Sequence, residues 1–182
     1  MIRLLDIFIS LITIFVLAPA MLIIYFVLKL SGVSPIFKQE RLGRFEQKFT
    51  LYKFRTLSKG TKEAPTHEIN NPDLVPFGRV LRRTKLDELP QLFNVLKNEM
   101  SLVGPRPCLL SQLDLIEQRQ KLRIFNELPG ITGLAQIQGI DMSNPKLLAE
   151  IDAKMIMKMN VINYLKYLFQ TIYKGHKDNL SK

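Results

Sequence analysis

The sequence contains a single cysteine, Cys108, among its 182 residues. An intrachain disulfide is therefore impossible, and a structural zinc site of the multi-cysteine type is excluded as well. No repeat with a period of roughly 20 to 50 residues is visible, which argues against a repeat array. Acidic residues are also in deficit, because 16 aspartates and glutamates stand against 26 lysines and arginines.

The excess of positive charge indicates the chemistry of the partners. The formal net charge is +10, and such a balance favours nucleotides, nucleic acid or an anionic membrane surface. Apolar residues make up 47% of the chain, which is enough for one hydrophobic core and a membrane element. Intrinsic disorder is therefore excluded as the main state.

The longest apolar run lies near the N-terminus, where residues 7–28 contain no charged side chain. As a helix it would be about 33 Å long, which is sufficient to cross a bilayer core of about 30 Å. Pro19 lies near its middle, where we expect a kink or a break. Cationic residues flank the run on both sides, so the positive-inside rule gives no clear orientation. Three interpretations stay open: a spanning anchor, a helix–break–helix hairpin that returns to the cytoplasmic face, and a cleaved signal peptide.

The next part of the chain predicts a strand, a loop and a helix. Apolar and polar residues alternate over 48–57, which favours a half-buried strand. The polar stretch 58–76 contains several prolines and predicts a loop. Thr84 resembles a helix N-cap with Asp87 at the third helical position, and apolar residues then follow at helical spacing.

The C-terminal half predicts two more helices. The spacing predicts an amphipathic helix over 109–125, and Asn144-Pro145 predicts the start of a long helix that reaches about Tyr173. Between them, 101–107 cannot lie inside a helix because of its prolines, and 129–136 predicts a turn with two glycines. The last helix mixes aromatic and lysine side chains, which is compatible with a membrane interface or with a core.

Asp87 and Glu88 are adjacent acidic residues in a basic part of the sequence. Four cationic residues precede them: Arg79, Arg82, Arg83 and Lys85. Two interpretations are open for the pair. Asp87 could cap a helix while Glu88 is solvated near the positive helix end, or both carboxylates could serve one site at a helix terminus.

Three further cations are candidate phosphate ligands. Arg106 lies between two prolines, and a guanidinium on such a rigid turn suits bidentate binding of phosphate, although it could also bind backbone carbonyls. Lys53 and Arg55 are two residues apart on the predicted strand and therefore on one face, which could equally be solvated. Together with the carboxylates, these residues describe a polyanion site next to a membrane segment.

Longer blocks of sequence make this interpretation specific. Residues 86–107 read LDELPQLFNVLKNEMSLVGPRP, and residues 129–136 read PGITGLAQ. Upstream, 39–43 read QERLG and 52–56 read YKFRT. These ordered blocks resemble the bacterial sugar transferases, specifically the small monotopic phosphoglycosyl transferases, and the resemblance extends from the apolar segment to about Tyr173.

The resemblance implies a mostly helical α+β fold in two parts. Residues 1–30 would form a re-entrant membrane helix that is broken at Pro19. Residues 31–182 would form a small globular catalytic domain in the cytosol, with amphipathic helices at the membrane interface. The implied location is the cytoplasmic face of the bacterial inner membrane, with membrane lipids as partners.

The resemblance also implies a reaction. A sugar-1-phosphate would move from a UDP-sugar to polyprenyl (undecaprenyl) phosphate with release of UMP, as the first membrane step of bacterial glycoconjugate assembly. Asp87 would attack the β-phosphate and form a covalent phosphosugar intermediate, and Asp87 and Glu88 would bind the required Mg²⁺. The implied phosphate- and nucleotide-binding residues are Arg106, Arg82, Lys53, Arg55 and Gln136. A carboxylate is a competent nucleophile toward phosphorus when cations neutralise the phosphate oxygens.

The sequence departs from the family pattern at three places. Ala18 stands where a serine usually precedes the proline, Leu128 stands where arginine is frequent, and 137–140 read IQGI where VNGR is common. The last two differences bear on the donor sugar, for which we expect a UDP-linked N-acetylated hexosamine.

Two other function classes compete with the enzyme. A membrane-anchored binder of nucleic acid or anionic lipid would need only the positive charge. No nucleic-acid-binding signature is present, so we expect no nucleic-acid partner. An inactive scaffold of the same fold is the other alternative, and the intact Asp87–Glu88 pair with Arg106 argues against it. The sequence leaves homodimerisation open.

Overall fold

The computed structural model describes residues 1–58 and 74–180, and for 174–180 only the helical backbone. In this part of the chain the fold is mostly helical, with two small sheets, which confirms the predicted α+β class. The predicted loop at 58–76 lies almost entirely outside the described residues.

The elements follow one another in a mixed order. The helices are α1 (Ile2–Leu30), α2 (Gly78–Thr84), α3 (Gln91–Leu96), α4 (Leu113–Lys121), α5 (Leu134–Gln138), α6 (Pro145–Met157) and α7 (Val161–Leu180). The strands are β1 (Ile36–Leu42), β2 (Lys48–Phe54), β3 (Ser101–Val103) and β4 (Gly130–Thr132). Short 3-10 helices occupy Arg44–Glu46, Leu86–Glu88 and Ile124–Asn126.

The first sheet is an antiparallel hairpin of β1 and β2. Its register pairs Ile36 with Phe54 and Leu42 with Lys48. The strand predicted from the alternating pattern is confirmed, but its two buried residues, Leu51 and Phe54, are three positions apart and therefore lie on opposite faces. The strand ends at Phe54, three residues before the predicted end.

The second sheet is a parallel pair of β3 and β4, in which Ser101 lies opposite Gly130. Backbones approach closely here, because a Cβ on Gly104 would lie 2.5 Å from the carbonyl oxygen of Leu128. The predicted turn at 129–136 is therefore wrong: it contains β4 and the start of α5. A strand that is formed by pairing with a segment 29 residues away leaves no local pattern in so short a stretch.

The N-terminal helix α1 is continuous over 29 residues, and Pro19 lies inside it. No non-helical segment therefore separates two helices at Pro19, whereas a kink within the continuous helix, and with it the re-entrant course, stays a prediction. Within the described residues, α1 is the one helix long and apolar enough to cross a membrane by length and composition.

The boundaries of three predicted helices change. Thr84 does not begin a helix but ends α2, and its hydroxyl donates to the carbonyl of Val80 at 2.8 Å. The predicted helix over 109–125 is shorter, because α4 covers only Leu113–Lys121. Asn144 is confirmed as an N-cap, since its side chain accepts from Leu147 N at 3.1 Å. The helix from Asn144 stops at Met157, and Asn160 then accepts from Asn163 N at the start of α7.

The core consists of three apolar clusters. One lies between β2, α3, β3 and α7, and another lies between α4, α5 and α6. The third contains Leu28 of α1 with Phe54, Val75 and Leu81. The first and third clusters together pack β2 against the segment that follows α2, and this packing positions the candidate site.

Candidate functional site

Asp87 and Glu88 lie in the 3-10 helix between α2 and α3. Lys85 adopts a left-handed conformation with φ +56, which ends α2 and turns the chain into this short helix. Asp87 is only 9% exposed. The pair therefore sits at a helix terminus, as the functional interpretation requires, although the segment does not begin with the predicted cap at Thr84.

Glu88 is the point at which three predicted site residues meet. Its Oε1 accepts a hydrogen bond from Lys53 Nζ at 2.8 Å and one from Arg106 Nη2 at 3.1 Å. Burial alone would raise the pKa of Glu88, but the charges of Lys53 and Arg106 outweigh it and hold the pKa well below its usual range. Glu88 is therefore ionised, and it joins β2 to the segment after β3.

Asp87 has the opposite electrostatic character. Burial, followed by the negative charge of Glu88, raises the pKa of Asp87 to about 6, while Lys53 and Arg82 act against this shift. Burial also lowers the pKa of Lys53. The site therefore contains one carboxylate, Glu88, that is paired with two cations, and a second, Asp87, whose pKa lies close to neutral pH. Perturbed pKa values of this kind are typical of catalytic sites.

Arg82 and Arg55 differ in their surroundings. Arg82 Nε donates to Thr56 Oγ1 at 2.8 Å, and its charge lowers the pKa of Asp87, so it belongs to the cluster. Arg55 instead donates to the carbonyl of Ser34 at 3.0 Å and lies over the ring of Phe37. Its contacts are with the beginning of the hairpin, and no described contact joins it to the carboxylates.

Gln136 lies on α5 with both polar atoms of its side chain buried. Within residues 1–58 and 74–180, neither its Oε1 nor its Nε2 has a hydrogen-bond partner. Buried amides are normally paired, so such a group is ready to receive a polar ligand. It lies beside Gly133, whose added Cβ would approach the Gln136 Oε1 to 3.0 Å. Pro19 takes no part in this cluster, because it lies in α1.

Asp87 and Glu88 are the two carboxylates of the site that could hold a divalent cation such as Mg²⁺. The described residues include no group of three or more histidine, cysteine or acidic side chains that could hold a metal. Mg²⁺ typically uses one or two carboxylates together with waters and substrate phosphates. A divalent cation bound there would offset the repulsion between the two adjacent carboxylates.

Asn94 is not among the residues predicted from the sequence, and it fixes the strand that carries Lys53. Its Oδ1 accepts from Tyr52 N at 3.1 Å, and its Nδ2 donates to the carbonyl of Thr50 at 2.7 Å. Asn94 is fully buried on α3. A polar residue within the apolar spacing of a helix is the one signal that could have indicated it.

Comparison with known proteins adds independent evidence. The family model for bacterial sugar transferases matches residues 1–178. The uncharacterized sugar transferase EpsL of Bacillus subtilis is 41% identical over 88% of this chain and 81% of its own length. The undecaprenyl-phosphate galactose phosphotransferase of Salmonella typhimurium is 30% identical over 93% of this chain. The UDP-glucose:undecaprenyl-phosphate glucose-1-phosphate transferase of Escherichia coli is 33% identical over 93% of this chain.

The relatives differ in length from this chain. The chain spans 39% of the Salmonella and Escherichia proteins, and about two fifths of most of the other curated relatives that it matches. The match nevertheless includes almost all of the present sequence. The chain therefore belongs to the bacterial sugar transferase family, which confirms the resemblance.

Proposed function

We propose that the protein is a phosphoglycosyl transferase that moves a sugar-1-phosphate from a UDP-sugar to polyprenyl phosphate and releases UMP. The observation that carries the proposal is the cluster in which Lys53 and Arg106 both bind Glu88 while Asp87 lies beside them, buried and with a raised pKa. The names of the Salmonella and Escherichia relatives support both the donor class and the undecaprenyl acceptor.

In the first step, a carboxylate oxygen of Asp87 attacks the β-phosphorus of the UDP-sugar. A bond forms between this oxygen and phosphorus, and the bond from phosphorus to the bridging oxygen breaks, so that UMP leaves with the electron pair. Asp87 then carries the phosphosugar. Attack by an anion on a diphosphate is repulsive, and Arg106, Arg82 and Lys53 would offset the charge that develops on the phosphate oxygens.

In the second step, an oxygen of the polyprenyl phosphate attacks the phosphorus of the intermediate. The bond to Asp87 breaks and the carboxylate is regenerated, which gives a polyprenyl-diphosphate sugar. Asp87 and Glu88 would hold Mg²⁺, which supplies charge neutralisation to the phosphates when it is bound. We expect the donor to be a UDP-linked N-acetylated hexosamine.

We also propose that α1 enters the membrane from the cytoplasmic face and returns to that same face. Asp6 near its start is buried against the domain, and Leu28 near its end packs with Phe54 and Leu81. The middle of α1 is exposed, with Phe15 at 84%. Because both ends contact one globular unit, they would lie on the same side of a bilayer. Burial of Asp6 also argues against a cleaved signal peptide.

The exposed face of α7 supports contact with the interface. Tyr164 and Tyr167 are buried in the core, while five large apolar side chains of the described part of the same helix are exposed: Ile162, Leu165, Phe169, Ile172 and Tyr173. An amphipathic helix of this kind suits a bilayer surface. The polyprenyl phosphate head group lies at that surface, so the site would not have to leave it.

The function is tested by intact-mass measurement of the purified protein with Mg²⁺ and a panel of UDP-sugars, without a lipid acceptor. We expect a mass increase equal to one phosphosugar, which identifies the donor. The increase should be lost in Asp87→Asn and kept in the control Asp114→Asn, because Asp114 is exposed on α4. No adduct with any donor, together with no UMP release when polyprenyl phosphate is added, would reject the function. Turnover without an adduct would instead indicate direct transfer.

A further inference from the structure

Residues 105–108 form the segment that carries Arg106 to the carboxylates, and hydrogen bonds from other parts of the chain hold its backbone. Pro105 and Pro107 have no N–H groups, so residues 105–108 cannot join a regular ladder of hydrogen bonds. Each of the four carbonyl oxygens instead accepts from a different residue. Gly130 N donates to the carbonyl of Pro105 at 2.8 Å, and Arg119 Nη1 donates to that of Arg106 at 2.8 Å. Arg41 Nη1 donates to the carbonyl of Pro107 at 3.1 Å, and Leu42 N donates to that of Cys108 at 3.1 Å.

Arg119 is the donor that binds the carbonyl of Arg106 itself. It lies on α4 with its side chain 2% exposed, and its Nη2 pairs with Asp152 Oδ2 at 2.6 Å. Asp152 lies on α6 and is fully buried. Because the donors of a guanidinium form a rigid fork, the bond from one Nη to Asp152 fixes the direction of the other Nη toward Arg106.

The two ends of Arg106 have different environments. Its carbonyl is bound by a buried group, whereas its guanidinium reaches Glu88 and its side chain is 37% exposed. The main chain is therefore anchored while the functional group faces the site. A buried ion pair contributes little net stability compared with apolar residues of similar volume. The Arg119–Asp152 pair therefore differs from an apolar pair mainly in that it fixes the position of the Arg106 main chain.

We propose that Arg119, oriented by Asp152, is a positioning residue for the transfer reaction. It fixes the main chain of Arg106 so that the guanidinium meets both Glu88 and the diphosphate of the donor. This inference rests on the proposed transferase function. Arg119 acts through Arg106, and small displacements of such a group reduce rates strongly because the charge then misses the phosphate oxygens.

The test uses the double variant Arg119→Met/Asp152→Leu in the full chain. Removal of one partner alone would leave a buried unpaired charge and destabilise the fold, whereas an apolar pair of similar volume is tolerated. We expect a melting temperature a few degrees below that of the wild type, because the carbonyl of Arg106 loses its donor, and a kcat/KM for UMP release lower by about 10- to 100-fold. The control is Glu117→Gln/Lys121→Met, which removes an exposed ion pair on the same helix and should change neither quantity.

A double-mutant cycle separates positioning from a general structural effect. In an Arg106→Met background, the Arg119→Met/Asp152→Leu change should cause no further loss, because the group that it positions is absent. The same cycle is measured for the Kd of UDP. If the double variant does not fold, Arg119→Gln/Asp152→Asn replaces it in the cycle, since it removes both charges together and keeps hydrogen-bonding groups at both positions.

The outcomes distinguish the two proposals. If the wild type is active and the losses are additive in both kcat/KM and Kd, the positioning role is wrong while the transferase function stands. If the wild type is inactive but binds UDP, the function fails, and a non-additive cycle in Kd would still support the positioning role. A wild type that neither turns over nor binds UDP overturns both.

Discussion

The carboxylate of Asp6 accepts a hydrogen bond from the hydroxyl of Tyr164 at 2.7 Å, across 158 residues of sequence. The same Oδ1 also accepts from Ser101 Oγ at 2.9 Å and from Leu102 N at 2.8 Å. Burial, followed by the contact with Asp6, raises the pKa of Tyr164 well above its usual range. The apolar helix α1 is therefore attached to β3 and α7 through a polar contact in the core.

Asp6→Leu should destabilise the protein by about 3 kcal/mol, because three buried donors lose their acceptor. Tyr164→Phe should cost about 1 kcal/mol, since it removes one of the three bonds. Thermal unfolding in detergent measures both changes. Tyr173→Phe is the matched control, because Tyr173 is exposed on the same helix. Equal melting temperatures for Asp6→Leu and the wild type would show that the contact contributes nothing to stability.

Lys53→Met should move the acid limb of the pH–rate profile to higher pH. Asp87 must be ionised to attack phosphorus, and its pKa of about 6 is held down by the charge of Lys53. Removal of that charge raises the pKa, so a larger fraction of Asp87 is protonated at a given pH below neutrality. Initial rates of UMP release between about pH 5 and 8 measure the limb.

The control for this experiment is Lys97→Met, which removes an exposed cation outside the carboxylate cluster. Lys97→Met should leave unchanged both the rate of UMP release and the pH at which the acid limb lies. An acid limb that stays in place in Lys53→Met, or that moves to lower pH, contradicts the electrostatic role of Lys53.

Asp87→Asn should increase thermal stability at pH 7 although it abolishes transfer. The folded state raises the pKa of Asp87 from 3.8 to about 6. The contribution of this group to stability is therefore fully present below about pH 4 and is lost as the pH rises through 6. A melting temperature of Asp87→Asn above that of the wild type at pH 7, with the difference vanishing at pH 4, is the expected result. A lower melting temperature at pH 7 would show that ionised Asp87 is stabilised instead.

The topology of α1 can be tested by cysteine labelling, because the chain has one native cysteine and it is buried. In a Cys108→Ser background, a cysteine inserted directly after Met1 and, in a second variant, Ser31→Cys should both react with an impermeant maleimide added to inverted inner-membrane vesicles. Neither should react in intact spheroplasts. Labelling of the two positions from opposite sides would establish a spanning helix and reject the re-entrant proposal.

Local patterns predicted several elements correctly. The apolar residues at 49 and 51 indicated β2, and the Asn144 cap indicated the start of α6. These signals are local, because a strand pattern or a cap bond involves only residues that are close in sequence. Helix ends were predicted less well, since the breaks after Thr84 and Met157 depend on how the next segment packs. A strand as short as β4 exists only through its pairing with β3.

The sequence by itself determined the chemistry that is available: an adjacent carboxylate pair, arginines and lysines nearby, and a long apolar helix. It also named Lys53, Glu88 and Arg106 as candidates, without showing that they touch. Only the tertiary structure decided that Lys53 and Arg106, which lie 35 and 18 residues from Glu88, bind the same oxygen. The tertiary structure also decided that Arg119 donates to the carbonyl of Arg106 and that Tyr164 donates to Asp6. Side-chain periodicity reports which face of an element is buried, whereas the partner across that face depends on how distant segments pack together.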